Sequence, residues 1–135
     1  MGSRFNTQDD KTIKDLLEST SMIFKIPVNQ RKYSWEKEQI EQYWEDVLKT
    51  IRDSNSNNTH YLGVLSLIRT DKQLITEYEV IDGQQRLITT LLLISALRDI
   101  YVARKDIDAA NNIQKTYLLA VQTRESYNKL ISCKI

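Results

Sequence analysis

The sequence predicts an α+β domain in which a small sheet packs against helices, and three observations carry this prediction. Segments 61–68 and 74–81 are rich in β-branched and large apolar residues, with only a short polar stretch between them. A third segment, 22–26, alternates in polarity and runs into Pro27. Stretches with helical periodicity flank these strands. The 135 residues are close to the ~150 residues typical of one domain, so residues 1–135 are expected to form a single domain.

The N-terminal third is predicted to contain a helix, a strand and an irregular segment. Residues 1–6 are expected to be a flexible or cloning-derived N-terminus. Thr7 and Asp10 fit a capping box for a helix over residues 7–19. The ring of Pro27 disfavours helix at the preceding residue, which supports a strand over residues 22–26. The stretch after Pro27 has no clear periodicity.

The rest of the chain alternates between helices and strands. Residues 35–53 carry apolar side chains at i, i+3, i+4 and i+7, which predicts an amphipathic helix with Ser34 as its N-cap. The two strands that follow, 61–68 and 74–81, are expected to be antiparallel neighbours. Residues 87–97 are apolar nearly all round, which predicts a helix buried in the core. A further helix is expected over residues 108–121, and the tail carries Tyr127, Leu130 and Ile131 without a predicted element.

Composition excludes several classes of function. Nineteen basic and eighteen acidic residues leave a net charge of +1, so the chain lacks the bulk positive charge of a histone-like DNA binder. Its longest apolar run falls far short of the ~20 residues of a membrane span. With one cysteine and one histidine, the chain has too few ligands for a Cys/His zinc site. The N-terminus has no signal-peptide core, and the expected location is the cytoplasm.

The segment DGQQR, residues 82–86, is the first candidate site. A strand is predicted to turn at Gly83 into a helix, and free N–H groups at a helix start favour an anion such as phosphate. Arg86 adds a planar donor fork, Asp82 is able to hold a divalent cation, and Gln84 and Gln85 are able to orient a water molecule. The spacing fits equally well a plain strand-to-helix turn in which Asp82 is a cap and Arg86 a surface side chain.

The irregular segment before the long helix is the second candidate site. Gln30 and Arg31 are able to read a base edge or a phosphate, and Tyr33 and Trp35 are able to stack on a base. From the residues alone, the better interpretation is that the aromatic rings anchor the segment to the core while Arg31 pairs with an acid.

Three stretches, FKIPVNQRKYSWEKEQIEQYWEDV, HYLGVLSLI and YEVIDGQQRLITTLLLISALRDI, resemble the N-terminal domain of the GmrSD-type modification-dependent restriction endonucleases of bacteria and archaea. The resemblance covers residues 24–100. It implies a ParB/sulfiredoxin-like fold with a buried helix after the DGQQR turn. It also implies a role in phage defence.

The resemblance assigns roles to both candidate sites. It implies binding, and in many members hydrolysis, of GTP or a related triphosphate with Mg²⁺ or another divalent cation. Asp82 would assist the metal, and Gln84 and Gln85 would position the attacking water. The residues implied to bind nucleotide or phosphate are Gly83, Arg86, Gln30 and Arg31. Those implied as candidates to contact modified DNA are Gln30, Arg31, Tyr33 and Trp35.

The chain departs from the family pattern in two respects. Asn29 stands where members often have Tyr, so the preference for a particular DNA modification is not carried over. The histidines and acids of an HNH nuclease are missing after Ile100, so this chain alone is not expected to cut DNA. The nuclease is expected to be a C-terminal region or a separate partner. The alternatives are a module that binds DNA or nucleotide without hydrolysis, and a truncated remnant that keeps only the fold.

Overall fold

The computed structural model describes residues 12–18, 22–27, 32–52, 63–70, 76–122, 125–128 and 130–132. The helices are α1 (Ile13–Leu17), α2 (Lys37–Arg52), α3 (Gln84–Ala103) and α4 (Ile107–Ile113), and a π-helical turn, Gln114–Leu118, follows α4. The strands are β1 (Met22–Ile26), β2 (Ser66–Arg69), β3 (Thr76–Asp82), β4 (Leu119–Gln122), β5 (Glu125–Asn128) and β6 (Leu130–Ser132). The predicted α+β class, with a small sheet packed against helices, is confirmed.

The main sheet has four strands in the order β2-β3-β1-β6. β1 pairs in parallel with both β3 and β6, and Phe24 lies opposite Tyr78 on one side and Leu130 on the other. β2 and β3 pair antiparallel, as predicted. β4 and β5 form a separate two-stranded sheet.

The core lies where β1 and β3 meet α1 and the start of α3. Five buried apolar residues form one cluster, namely Leu17, Phe24, Val80, Leu87 and Leu91. Neighbouring residues of a strand point to opposite faces of the sheet, and both Ile23 and Phe24 are buried. The central strand is therefore covered on both faces, which fits its parallel pairing.

Two helices begin later than predicted. Thr12 caps α1 in a complete capping box with Asp15, while the predicted box residues Thr7 and Asp10 lie outside the described residues. α2 begins at Lys37, and Glu36 N–H donates to Gln39 Oε1 at 2.9 Å. Ser34 is not the cap of α2, because the helix begins three residues after it; its N–H donates to Gln85 Oε1 in α3.

The C-terminal part contains more strand than predicted. The helix expected over residues 108–121 ends with the π-helical turn at Leu118, and β4 begins at the next residue. β5 and β6 were not expected, because the tail has no clear local strand pattern. β6 is a strand through its pairing with β1, a partner about a hundred residues earlier in the chain.

The helix α3 is buried over its first turns and exposed along its second half. Leu87 and Leu91 belong to the core, whereas Leu97 and Ile100 in the second half are 42% and 49% exposed. Leu92, in the N-terminal half, is 56% exposed, so the all-round apolar pattern does not describe a helix buried on all sides even there. This half is also the part that carries the DGQQR segment.

Candidate functional site

The DGQQR turn has the backbone geometry that its glycine permits. Asp82 ends β3, and Gly83 has φ 84° and ψ 14°, in the left-handed region, immediately before α3. A Cβ atom on Gly83 would lie 2.9 Å from the backbone oxygen of Val64. Gly83 therefore combines a positive φ with a close backbone approach, and any other residue would be strained here.

The N-terminus of α3 is not capped by a side chain. Gly83 offers no capping oxygen, and the first turn has no acidic residue. By contrast, α1 and α4 are capped by the side chains of Thr12 and Asp106. Asp82 instead accepts a hydrogen bond from Gly83 N–H at 2.9 Å. Among the described residues, no side chain accepts a hydrogen bond from the N–H groups of the first turn of α3, and the carboxylate at this helix end is held at Gly83.

Arg86 lies in this first turn, exposed to solvent, with its guanidinium against Gly63. A Cβ atom built on Gly63 would lie 2.5 Å from Nη1 and 3.0 Å from Cζ of Arg86. Among the residues that the structure describes, none pairs with this guanidinium through a hydrogen bond or ion pair.

The two glutamines of the motif are engaged by the protein. Gln84 is 7% exposed, and its Nε2 donates to the carbonyl oxygen of Val80 at 2.8 Å. Gln85 Oε1 accepts from Ser34 N–H at 2.8 Å, and its Nε2 donates to the carbonyl oxygen of Lys32 at 3.4 Å. Gln84 thus joins the start of α3 to β3, and Gln85 joins it to the segment before α2. Their predicted role in positioning water stays a prediction.

Two tyrosine–threonine hydrogen bonds join α2 and the segment before it to α3. Tyr33 Oη lies 2.9 Å from Thr89 Oγ1, and Tyr43 Oη lies 2.7 Å from Thr90 Oγ1. Each threonine hydroxyl donates its one hydrogen to a carbonyl oxygen four residues earlier in α3, at 2.8 Å for Thr89 and 2.7 Å for Thr90. A hydroxyl has only one hydrogen, so the tyrosines are the donors in both pairs. Burial of Tyr43 raises its pKa.

The segment of the second candidate site contacts the first. Lys32, Tyr33 and Ser34 all bond to α3 near its N-terminus. Trp35 packs its ring against Tyr43, with centroids 6.0 Å apart and planes tilted by 59°. These contacts support the anchoring interpretation of the aromatic residues. Gln30 and Arg31 lie outside the described residues, so their place in a shared pocket stays a prediction.

Sequence reasoning missed several residues of this region. Gly63 was placed inside a predicted strand, although a lone glycine in a strand pattern is a signal of close backbone approach. Thr89 and Thr90 were counted only as members of an apolar helix. Tyr43 was assigned only to the apolar face of α2. The hydroxyl pairs join residues about fifty positions apart, and no local pattern marks such a pairing.

The described ranges hold no group of three or more His, Cys, Asp or Glu side chains that could bind a metal ion. Among the helices described, none is long and apolar enough to cross a bilayer.

Comparison with protein families gives a match over most of the chain. Residues 13–134 match the family described as GmrSD restriction endonuclease, N-terminal domain. No curated protein sequence matches the chain. The matched range includes both candidate sites and reaches from the first residue of α1 to beyond β6.

Proposed function

Since this chain belongs to the family of GmrSD restriction endonuclease N-terminal domains, we propose that it is the nucleotide-binding sensor domain of a modification-dependent restriction system. Family membership makes the chain a component of a restriction and phage-defence system. The ligand that we assign to the turn at residues 82–86 is a nucleoside triphosphate, GTP or a related one. The signal is modified DNA, and the regulated partner is an HNH-type nuclease, either C-terminal or on a separate chain.

The observation that carries the proposal is the pairing of an uncapped helix start with an unengaged arginine. The first turn of α3 has no acidic residue, and Arg86 makes no hydrogen bond or ion pair with the described residues. Within the described residues, these N–H groups and the guanidinium thus have no side-chain acceptor, while the nearby Asp82 carboxylate is bonded to Gly83 N–H. A phosphate group would accept hydrogen bonds from the free N–H groups of the helix and from the guanidinium fork at the same time.

Asp82 fits the role of holding a divalent cation that arrives with the triphosphate. Mg²⁺ is commonly bound through one or two carboxylates together with phosphate oxygens and water, so a single aspartate is sufficient. Asp82 is exposed at the end of β3, and one of its oxygens is oriented by Gly83 N–H. When bound, the cation would neutralise charge on the phosphates.

Binding without hydrolysis is the second candidate function, and the contacts of the glutamines favour it. Gln84 and Gln85 both use their amide groups for bonds within the protein. A glutamine that orients an attacking water needs an amide free to bond to that water. Thin-layer chromatography of radiolabelled GTP incubated with the protein and Mg²⁺ separates the two functions, because only hydrolysis yields GDP.

The experiment that tests the proposal is titration calorimetry with GTP and Mg²⁺ on Arg86→Ala. A bidentate charged contact contributes roughly 1.5 to 3 kcal/mol, so affinity should fall ~10- to 100-fold while the fold is retained. Arg86→Lys should recover only part of the loss, because an ammonium lacks the planar fork. Arg104→Ala, which removes the same charge at the other end of α3, is the matched control. Equal affinity in all four proteins would refute the site.

A further inference from the structure

Gly63 and the guanidinium of Arg86 occupy neighbouring space. The position that a Cβ atom would take on Gly63 lies 2.5 Å from Nη1, 3.0 Å from Cζ and 3.6 Å from Nε of Arg86. Gly63 itself has φ 104°, a conformation that other residues rarely adopt. The guanidinium therefore lies against bare backbone at a place that no other L-residue would leave open.

The backbone next to Gly63 also contacts the turn that precedes Arg86. The carbonyl oxygen of Val64 would lie 2.9 Å from a Cβ atom on Gly83, and the Leu65 side chain 3.1 Å from it. Two glycines thus allow residues 63–65 to approach both the turn and the arginine. This segment forms one wall of the candidate site, although it lies about twenty positions before the motif.

We infer that Gly63 is a positioning residue for Arg86. This inference rests on the proposed function, since it concerns how Arg86 meets a phosphate. An exposed arginine without a hydrogen bond to the described residues would ordinarily sample many rotamers, and binding would then require the loss of that freedom. Packing of the guanidinium against Gly63 restricts it before the ligand arrives. The N–H groups of the Arg86 guanidinium that do not face Gly63 can still donate to two phosphate oxygens.

A double-mutant cycle separates positioning of Arg86 from a general effect on the fold. Gly63→Ala should weaken binding of GTP and Mg²⁺ several-fold by calorimetry, because the added methyl group displaces the guanidinium. In the Arg86→Ala protein, Gly63→Ala should cause no further loss of affinity. The strain at φ 104° acts in both backgrounds, so the unfolding temperature should fall equally in both. The loss of affinity should be smaller in the Arg86→Lys protein, because lysine has no Cζ or Nη1 atom.

The outcomes of the cycle distinguish this inference from the proposed function. If Arg86→Ala weakens binding and Gly63→Ala does not, the positioning role is wrong and the site stands. Equal losses from Gly63→Ala with and without the arginine would also overturn the positioning role. If Arg86→Ala leaves the affinity unchanged, the proposed site itself fails.

A measurement on the unaltered protein tests the packing directly, even if Gly63→Ala does not fold. NMR relaxation of the arginine Nε–H groups should report a more ordered side chain for Arg86 than for Arg104, which is exposed at the end of α3. If Gly63→Ala folds, the Arg86 signal should become as mobile as that of Arg104. Equal mobility of Arg86 and Arg104 in the unaltered protein would overturn the inference.

Discussion

The Tyr43–Thr90 pair predicts unequal costs for the removal of its two hydroxyl groups. Tyr43 is 7% exposed and donates to Thr90, whose own hydrogen is bonded to the Arg86 carbonyl oxygen. Tyr43→Phe removes one neutral hydrogen bond and leaves no buried donor without a partner, so it should cost about 1 kcal/mol. Thr90→Val leaves the Tyr43 hydroxyl buried without its acceptor, which should cost roughly 1 to 3 kcal/mol.

Thermal unfolding followed by tryptophan fluorescence measures these costs. Tyr43→Phe should lower the unfolding temperature by roughly 3 to 5 °C, and Thr90→Val by more. The protein that carries both Tyr43→Phe and Thr90→Val should be more stable than Thr90→Val alone, because the Tyr43 hydroxyl without an acceptor is then absent. The control is Tyr101→Phe, whose hydroxyl makes no bond within the described part of the chain and should change little. A larger cost for Tyr43→Phe than for Thr90→Val would refute the assignment of Tyr43 as the donor.

The same pair predicts a pH dependence of stability. Burial holds the pKa of Tyr43 above its ordinary value of 10.0, so the folded state favours the neutral phenol. The contribution of the raised Tyr43 pKa to the free energy of unfolding is fully present below pH 10. It is lost as the pH rises from 10 through the raised pKa of the folded state. The stability advantage of the unaltered protein over Tyr43→Phe should therefore shrink above pH 10 in urea unfolding. An advantage that grows above pH 10 would contradict the direction of the pKa shift.

Two further predictions concern the contact between the two candidate sites and the packing of the core. Gln85→Ala should speed hydrogen exchange of Ser34 N–H, because its acceptor is lost, while exchange of Glu36 N–H, which is held by Gln39, stays the same. Unchanged exchange at Ser34 would mean that Gln85 does not hold the segment. Phe24→Ala should cost about 3 to 5 kcal/mol in urea unfolding, because Phe24 is fully buried in the central strand. Val64→Ala, at a 60% exposed side chain, should cost little, and equal costs for the two variants would contradict the position of Phe24 in the core.

The sequence alone determined the elements that depend on local pattern. Alternation before Pro27 predicted β1, helical periodicity predicted α2, and Gly83 predicted the turn from β3 into α3. Each of these signals lies within a few residues, where backbone preference and side-chain period act directly. The DGQQR segment was predicted to be a candidate site for the same reason, since its residue types are neighbours in the chain.

The tertiary structure decided which partners each element packs against or bonds to. β6 exists through its pairing with β1, and the second half of α3 keeps Leu97 and Ile100 exposed although the local pattern is apolar. Gln84 and Gln85 look equivalent in the sequence, yet one bonds to β3 and the other to the segment before α2. Gly63 lies against Arg86 only because the chain returns to the same place after about twenty residues. Such contacts depend on the path of the whole chain, and a local sequence pattern carries no record of that path.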